Sequence, residues 1–249
     1  MSDRNDMIVR LLRIHQYMTV PALCEALGAS PATVRRALSQ LDEQGQLQYV
    51  NGGALLLKPE LGTHPEMHKQ KLRIARAALA YIHQGDTLFI DAGSTNNVLA
   101  DALIEFSGIQ VVTNSIYIAY RLFSANADIS VCVCGGNIGG SSGGIGSVVG
   151  VLAESLVQHV RANVFFMGCS AVHPSYGITD PNIQVASLKQ QMHQNAQQTI
   201  LLCDHTKLDQ VHMAFVAPLS ALDRMITDTQ AEPERIRALE ENGLTVELV

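Results

Sequence analysis

The stretch Asp91-Ala92-Gly93-Ser94-Thr95-Asn96 sets an acid, a glycine and two hydroxyls where a short apolar run gives way to a helical pattern. At such a junction the backbone amides of 93–96 and the hydroxyls of Ser94 and Thr95 converge on a helix N-terminus. Dipole and hydrogen bonds together stabilise a phosphate there. The same residues also fit a simpler role, in which Gly93 shapes a tight turn and Ser94 or Thr95 caps the helix. Thr113-Asn114-Ser115, after the next apolar run, offers hydroxyl and amide groups suited to sugar hydroxyls or to the same phosphate. Lys189 and Lys207 are the cations best placed to approach, although a single lysine is more often surface than ligand.

Acid–base chemistry has weaker support. Asp180, Asp204 and Asp228 could each reach the same edge, and His205 adjoins Asp204, but adjacent residues seldom face one another. No GxGxxG follows the first strand, and the GxxxxG spacings near 135–150 lack the Lys-Ser/Thr ending of a nucleotide loop. The nine histidines show no metal-ligand spacing, so neither metal nor cofactor is expected. Five cysteines, an odd number with no CxxC pair, read as buried reduced thiols, and Cys132 and Cys134 should share one strand face.

The residues named first must be held by a sheet. Thr87–Ile90, Gln110–Val112, Ile129–Cys134, Asn163–Met167, Thr199–Cys203 and Arg224–Thr227 are short apolar or β-branched runs. Helical patterns near 96–104, 115–124, 151–160, 183–197 and 233–242 separate them, and another, carrying Leu72, Ala75, Leu79 and Ile82, precedes them and ends at Gly85. That alternation predicts a mainly parallel α/β sheet covered on both faces. Each run is followed by small or polar residues, and ligands of open α/β sheets bind along that carboxyl edge. Residues 135–150 hold eight glycines, Gly135 and Gly136 first, and read as a mobile loop, either a lid or a plain connection.

Before this comes a different pattern. Ile8, Leu11 and Leu12 give a first helix its apolar face, and Val20, Leu23 and Leu27 a second that Gly28 ends. Ser30 caps a third, Pro31 fills its first turn, Val34, Leu38 and Leu41 form its buried stripe, and Gly45 stops it. Asn51-Gly52-Gly53 then turns a two-stranded hairpin. This is the order of a winged helix-turn-helix, which leaves Ala32, Thr33, Arg35, Arg36, Ser39 and Gln40 free to enter a major groove. An arginine there can pair with guanine or clamp a phosphate, whereas two arginines on a small bundle can equally be solvated surface.

Charge divides the same way. The chain of 249 residues carries a net −6, but residues 1–58 hold six basic and five acidic side chains, which leaves −7 beyond them. Only the first part sits easily against DNA. With 47% hydrophobic residues and no apolar run near membrane-span length, the chain reads as soluble. Its start, MSDRNDMIVRLLRIHQY, carries charges where a signal peptide needs an apolar stretch, so a cytoplasmic protein is expected.

The ordered set Ser30-Pro31-Ala32-Thr33-Val34-Arg35-Arg36 with Leu38, Gly52-Gly53-Ala54, Asp91-x-Gly93-Ser94-Thr95, Thr113-Asn114-Ser115, Gly135-Gly136, Gly177-x-Thr179, Lys189, Asp204-x-x-Lys207 and Ile226-Thr227-Asp228 resembles the DeoR family of bacterial transcriptional regulators over nearly the whole length. The resemblance implies an N-terminal DNA-binding domain and a C-terminal sensor whose fold is similar to sugar-phosphate isomerases. It further implies an effector, a phosphorylated sugar, that releases an oligomeric repressor from a carbohydrate operon. There are departures: Ala37 stands where the family carries an acid, Tyr49 and Asn51 where the wing often has arginine, Gln184 and Ser170-Ala171 where the sensor has acidic residues. A lost carboxylate also speaks against catalysis, because enolisation needs a base.

The expectation is therefore a winged helix-turn-helix over 1–58, a linker over 59–70 and an effector-binding α/β domain over 71–249. DNA contacts fall to Ser30, Ala32, Thr33, Arg35, Arg36, Ser39, Gln40 and Asn51. Effector contacts fall to Asp91, Gly93, Ser94, Thr95, Asn96, Thr113, Asn114, Ser115, Gly135, Gly136, Thr179, Lys189, Asp204 and Lys207. The partners are an operator duplex, a phosphorylated sugar and further copies in a homodimer or homotetramer, with no membrane. Competing readings are an isomerase-like enzyme with a helical appendage and a protein-binding pseudo-enzyme.

Overall fold

A computed structural model of the chain describes residues 3–15, 17–43, 47–50, 52–55, 67–125, 128–139 and 147–249. The chain splits into two compact units, Met1–Leu61 and Gly62–Val249.

The first unit runs α1 (Asp3–His15), β1 (Tyr17–Thr19), α2 (Val20–Leu27), α3 (Pro31–Glu43), β2 (Gln48–Val50) and β3 (Gly53–Leu55). Ile8, Leu12, Leu23, Val34, Leu38 and Leu41 bury the helical faces read from their spacing. Gly28 closes α2 in the left-handed region at φ 57°, and Ser30 Oγ accepts the Thr33 N–H at 3.4 Å at the head of α3. The wing differs from expectation. It has three antiparallel strands in the order β1-β3-β2, because Tyr17, Met18 and Thr19 pair with Leu55, Ala54 and Gly53. Three residues are too few for alternation to show in sequence. Ala37 is buried in this core. Asn51 and Gly45 lie outside the described residues, as do residues 59–66 of the expected linker.

The second unit begins with α4 (His68–Ala78), so the last three linker positions are helical. The helix stops at Ala78, short of Gly85, and tightens into a 3₁₀ turn over Leu79–Tyr81. Then follow β4 (Thr87–Ile90), α5 (Ser94–Leu103), β5 (Gln110–Thr113), α6 (Ile116–Ala125), β6 (Ser130–Val133), β7 (Asn137–Gly139), β8 (Ser147–Val149) and α7 (Val151–Gln158). The chain continues through β9 (Ala162–Gly168), β10 (Ala171–His173), β11 (Gly177–Asp180), α8 (Ile183–Gln194), β12 (Ala196–Leu202), β13 (Ala214–Ala217), β14 (Arg224–Thr227), α9 (Pro233–Glu241) and β15 (Val246–Leu248).

All six expected strands are present, joined by β15 in a parallel sheet ordered β15-β14-β12-β9-β4-β5-β6. Its central strands are buried on both faces, with Phe89 set edge-on to Phe165 at 6.3 Å between ring centroids. One hydrophobic cluster, containing Phe165 and Leu188, covers one face and another, containing Ile74 and Leu99, the other. Sequence reading missed the small sheet β10-β11-β13. Here Gly177 lies at φ 67°, and a Cβ would stand 2.3 Å from the Ala217 carbonyl oxygen, so the position takes only glycine. It also missed that the glycine-rich stretch carries a hairpin, β7–β8, in which a Cβ on Gly136 would meet Val149 O at 2.5 Å. Residues 140–146 lie outside the described residues. The cysteines do not behave alike: Cys134 and Cys203 are buried, Cys24 and Cys169 half-buried, and Cys132 exposed. Cys132 is left open because β6 is an edge strand, whereas Cys134, one residue past its end, is covered.

Candidate functional site

The chain passes outward from β4 through β5 to β6 and then returns to β9 on the other flank of β4. The loops leaving β4 and β9 therefore diverge, and this switch point is where open α/β sheets bind ligands. A small cavity of about 30 Å³ lies there. Gly93, Ser94, Thr95, Gly168, Asp204 and Lys207 line it, with Cys169 and Cys203 at its side. No side chain of the N-cap residue Gly93 caps α5, and the first residues of that helix, Ser94 and Thr95, line the cavity. Lys207 enters no ion pair among the described residues.

Lys71, which sequence reading passed over, belongs here. It lies buried on α4, donates from Nζ to Ser94 Oγ at 2.9 Å, and stands 4.0 Å from Asp204 Oδ2. Its burial at an i, i+3, i+4 position with Ile74 and Ala75 was legible as helix spacing, but a lysine on an apolar face reads as a snorkelling surface residue. Asp204 is further held by Thr206, whose N–H donates to Oδ1 at 3.1 Å.

Beneath the cavity lies a buried ionic knot. Lys189 Nζ is 3.1 Å from Asp91 Oδ2, 3.5 Å from Asp180 Oδ2 and donates to Gly168 O at 2.6 Å. Asp91 Oδ1 accepts the Gly168 N–H at 2.7 Å and the Asn96 amide. Burial alone would lower the Lys189 pKa, but Asp91 and Asp180 outweigh it and hold the ammonium charged above the ordinary lysine range. Burial pushes the Asp91 carboxyl up, against the pull of Lys189. Asp91, Asn96 and Lys189 are thus tied to one another and fix the Gly168 turn.

Thr113, Asn114 and Ser115 are buried and turned to local work. Thr113 Oγ1 accepts Ser115 N–H, Asn114 Oδ1 accepts Ala92 N–H, and Ser115 Oγ accepts Ile118 N–H at the head of α6. Thr179 Oγ1 accepts the His212 N–H within the small sheet, and Gly135 and Gly136 are exposed beside the β7–β8 hairpin. None of these six lines the small cavity. His205 does not pair with Asp204. Its Nδ1 lies 2.8 Å from Asp228 Oδ1, and its backbone N–H donates to Asp228 Oδ2.

In the first unit, Ala32, Arg35, Arg36, Ser39 and Gln40 are exposed along α3, with Ser30 exposed at its cap and Thr33 half-buried. Arg35 and Tyr49 face an open groove of about 880 Å³ between α3 and the wing.

Comparison with known proteins accords with both halves. Residues 4–60 match the DeoR-like helix-turn-helix domain and residues 66–229 the DeoR C-terminal sensor domain. The chain is 31% identical to the transcriptional regulator GolR of Listeria innocua, over 99% of this chain and 98% of that protein. It is 27% identical to the glycerol-3-phosphate regulon repressor of Escherichia coli, again over 99% and 98%. Among solved structures, ribose 5-phosphate isomerase A of Neisseria gonorrhoeae aligns with a TM-score of 0.41 and 15% identity, over 64% of this chain and 58% of that one. That likeness is too remote to bear on activity. The chain belongs to the DeoR family and is a transcriptional regulator, with a DNA-binding helix-turn-helix domain ahead of a sensor domain.

Proposed function

We propose that this regulator represses a carbohydrate-utilisation operon and is released by a phosphorylated sugar whose phosphate seats at the switch-point cavity. The observation that carries the reading is the convergence of uncapped α5 amides with Lys71 and Lys207 on Ser94 and Thr95. Amide dipoles and two ammonium groups favour a dianion over a neutral sugar. Lys189, Asp91 and Asn96 act as positioning residues that hold the Gly168 turn, and Asp204 orients Lys71. Because the cavity measures only about 30 Å³, the rim must open to admit the rest of the ligand. Thr113, Asn114, Ser115, Thr179, Gly135 and Gly136 shape the surrounding loops in this scheme. The name of the Escherichia coli relative, a repressor of a glycerol-3-phosphate regulon, supports a small phosphorylated effector.

Exposed α3 residues, Arg35 foremost, read the operator, with Asn51 at the wing. The protein works in the cytoplasm as a homodimer or homotetramer. The apolar groove between α6 and β6, where Tyr120 and Phe123 are exposed beside an edge strand, supports self-association.

A thermal-shift comparison of matched phosphorylated and unphosphorylated sugars tests this. A ligand of the native state at a hundredfold excess over its Kd adds about 2.7 kcal/mol. The reading stands if only phosphorylated compounds raise the melting temperature and also release promoter DNA in a gel shift. It falls if sugars act equally with and without phosphate, or if no phosphorylated sugar acts.

A further inference from the structure

Five free thiols have no role in the scheme above, and two of them meet. Strands β9 and β12 are parallel neighbours whose register ends with Gly168 opposite Leu202. The next residue on each is a cysteine. Cys169 Sγ lies 3.1 Å from Cys203 Sγ, and both border the switch-point cavity. Neighbouring strands stand about 4.8 Å apart, within the Cα separations that disulfides span, and the sulfurs need close by only about 1 Å to bond. The resemblance to the family supplies no such pair, and nothing in sensing a phosphate requires one.

We propose that Cys169 and Cys203 are a dithiol modification site that a hydroperoxide converts to an intramolecular disulfide. The two thiols are unequal, which sets the order of events. Cys169 is half-buried and reachable, whereas Cys203 is 1% exposed. Hydrogen bonding to Cys169, then burial, holds the Cys203 thiol well above the usual range, so it is a poor first nucleophile. Lys207 lines the same cavity as both cysteines, so a reagent that enters it meets Cys169 first.

In the first step the Cys169 thiolate attacks the peroxide. An S–O bond forms, the O–O bond breaks, and the departing oxygen takes a proton to leave as an alcohol, or as water from hydrogen peroxide itself. In the second, Cys203 sulfur attacks the sulfenic sulfur. The S–S bond forms, the S–O bond breaks, and the hydroxide leaves as water with the Cys203 proton. Two thiols are oxidised and one peroxide is reduced, with no other reactant. Cys134 is unsuited to the first step, since burial pushes its thiol up to about 12. Cys132 is exposed and competes for reagent, so it is best removed from the assay.

The test uses the full chain carrying Cys132→Ser, reduced, treated with hydrogen peroxide, then denatured, alkylated and mapped by mass spectrometry. The expected product is a Cys169–Cys203 linked peptide, two hydrogens lighter than the thiol pair, with both alkylation sites lost together and restored by dithiothreitol. Adding Cys169→Ser abolishes the linked peptide. With Cys203→Ser in its place, a sulfenic acid accumulates on Cys169 and is captured by dimedone. Should the linked peptide be absent from folded protein while Cys169 alone oxidises, or should both thiols stay fully alkylatable, the proposal is overturned. The linked peptide is sought in the Cys132→Ser protein itself, so a folding failure of either serine variant leaves this outcome decisive. Its readout is independent of any effector, so it stands or falls apart from the sugar-phosphate reading.

Discussion

Lys71 Nζ and Ser94 Oγ, 23 positions apart in sequence, meet at 2.9 Å, joining the first helix of the sensor to the first turn of α5. An anion arriving at Ser94 therefore also meets the ammonium of α4. In the proposed scheme, binding there would change the partners of α4.

The Lys71→Met variant is accordingly expected to weaken binding of the phosphorylated effector. Loss of one charged hydrogen bond is worth about 1.5–3 kcal/mol, or about tenfold to a hundredfold in Kd. Isothermal titration beside a melting curve checks it. An unchanged Kd in a folded variant removes Lys71 from the site.

Lys189→Met should act on stability. Removing the ammonium strands Asp91 and Asp180 together in the interior, a loss of about 3–5 kcal/mol. The dependence on pH has two signs. In the wild type the folded Lys189 pKa lies above the unfolded one, so its contribution is whole below about pH 10.4 and fades as pH climbs through the folded value. In the variant the pKa of buried Asp91 stays raised, so protonation favours the fold, and acidification from neutral towards the ordinary aspartate range should recover stability. Melting temperatures across both ranges decide; a variant insensitive to acid contradicts the knot as described.

Gly177→Ala meets both a φ of 67° and a carbonyl oxygen 2.3 Å from the new Cβ. The expected cost is about 2–4 kcal/mol, from left-handed strain and displacement of the β13 backbone. A denaturant titration with unchanged m value would register it.

Arg35→Ala should reduce operator affinity by about 1–3 kcal/mol. If the arginine reads a base, preference relaxes at that position; if it clamps phosphate, affinity falls for all sequences and the salt slope shrinks by about one. Gel shifts at two salt concentrations separate the cases. Normal binding at both denies Arg35 any role.

Phe123→Asp places a charge on the exposed α6–β6 groove, where Phe123 is 79% exposed within one chain. Sedimentation should then show a lighter species, and DNA binding should weaken because paired heads no longer act together. An unchanged sedimentation coefficient would relocate the self-association surface.

The long periodic elements were legible, and for a physical reason. Strands buried on both faces must be apolar throughout, and Thr87–Ile90 and Arg224–Thr227 match to the residue. Short or two-sided elements were not: β1 has three residues, and Ala171–His173 carries no alternation. Gly93, Ser94, Thr95, Asp204 and Lys207 line the switch-point cavity, and sequence singles them out because small or polar residues after a strand mark the carboxyl edge. What spacing does not reveal is which polar atom answers which. Asp91 and Lys189 were read as reaching ligand, yet they spend their charge on each other. Lys71 was invisible because its partners are 23 and 133 positions away.

Thr19 holds three posts in the reading head: it ends β1, pairs with Gly53 of the wing, and accepts the Ala22 amide at the start of α2. The wing and the first of the paired helices are thereby joined at one residue, which ties their relative placement to a single side chain and its backbone. Transplanting another regulator's surface side chains onto Ala32–Gln40 should then retarget the protein to foreign promoters, with the angle of approach to the duplex inherited intact.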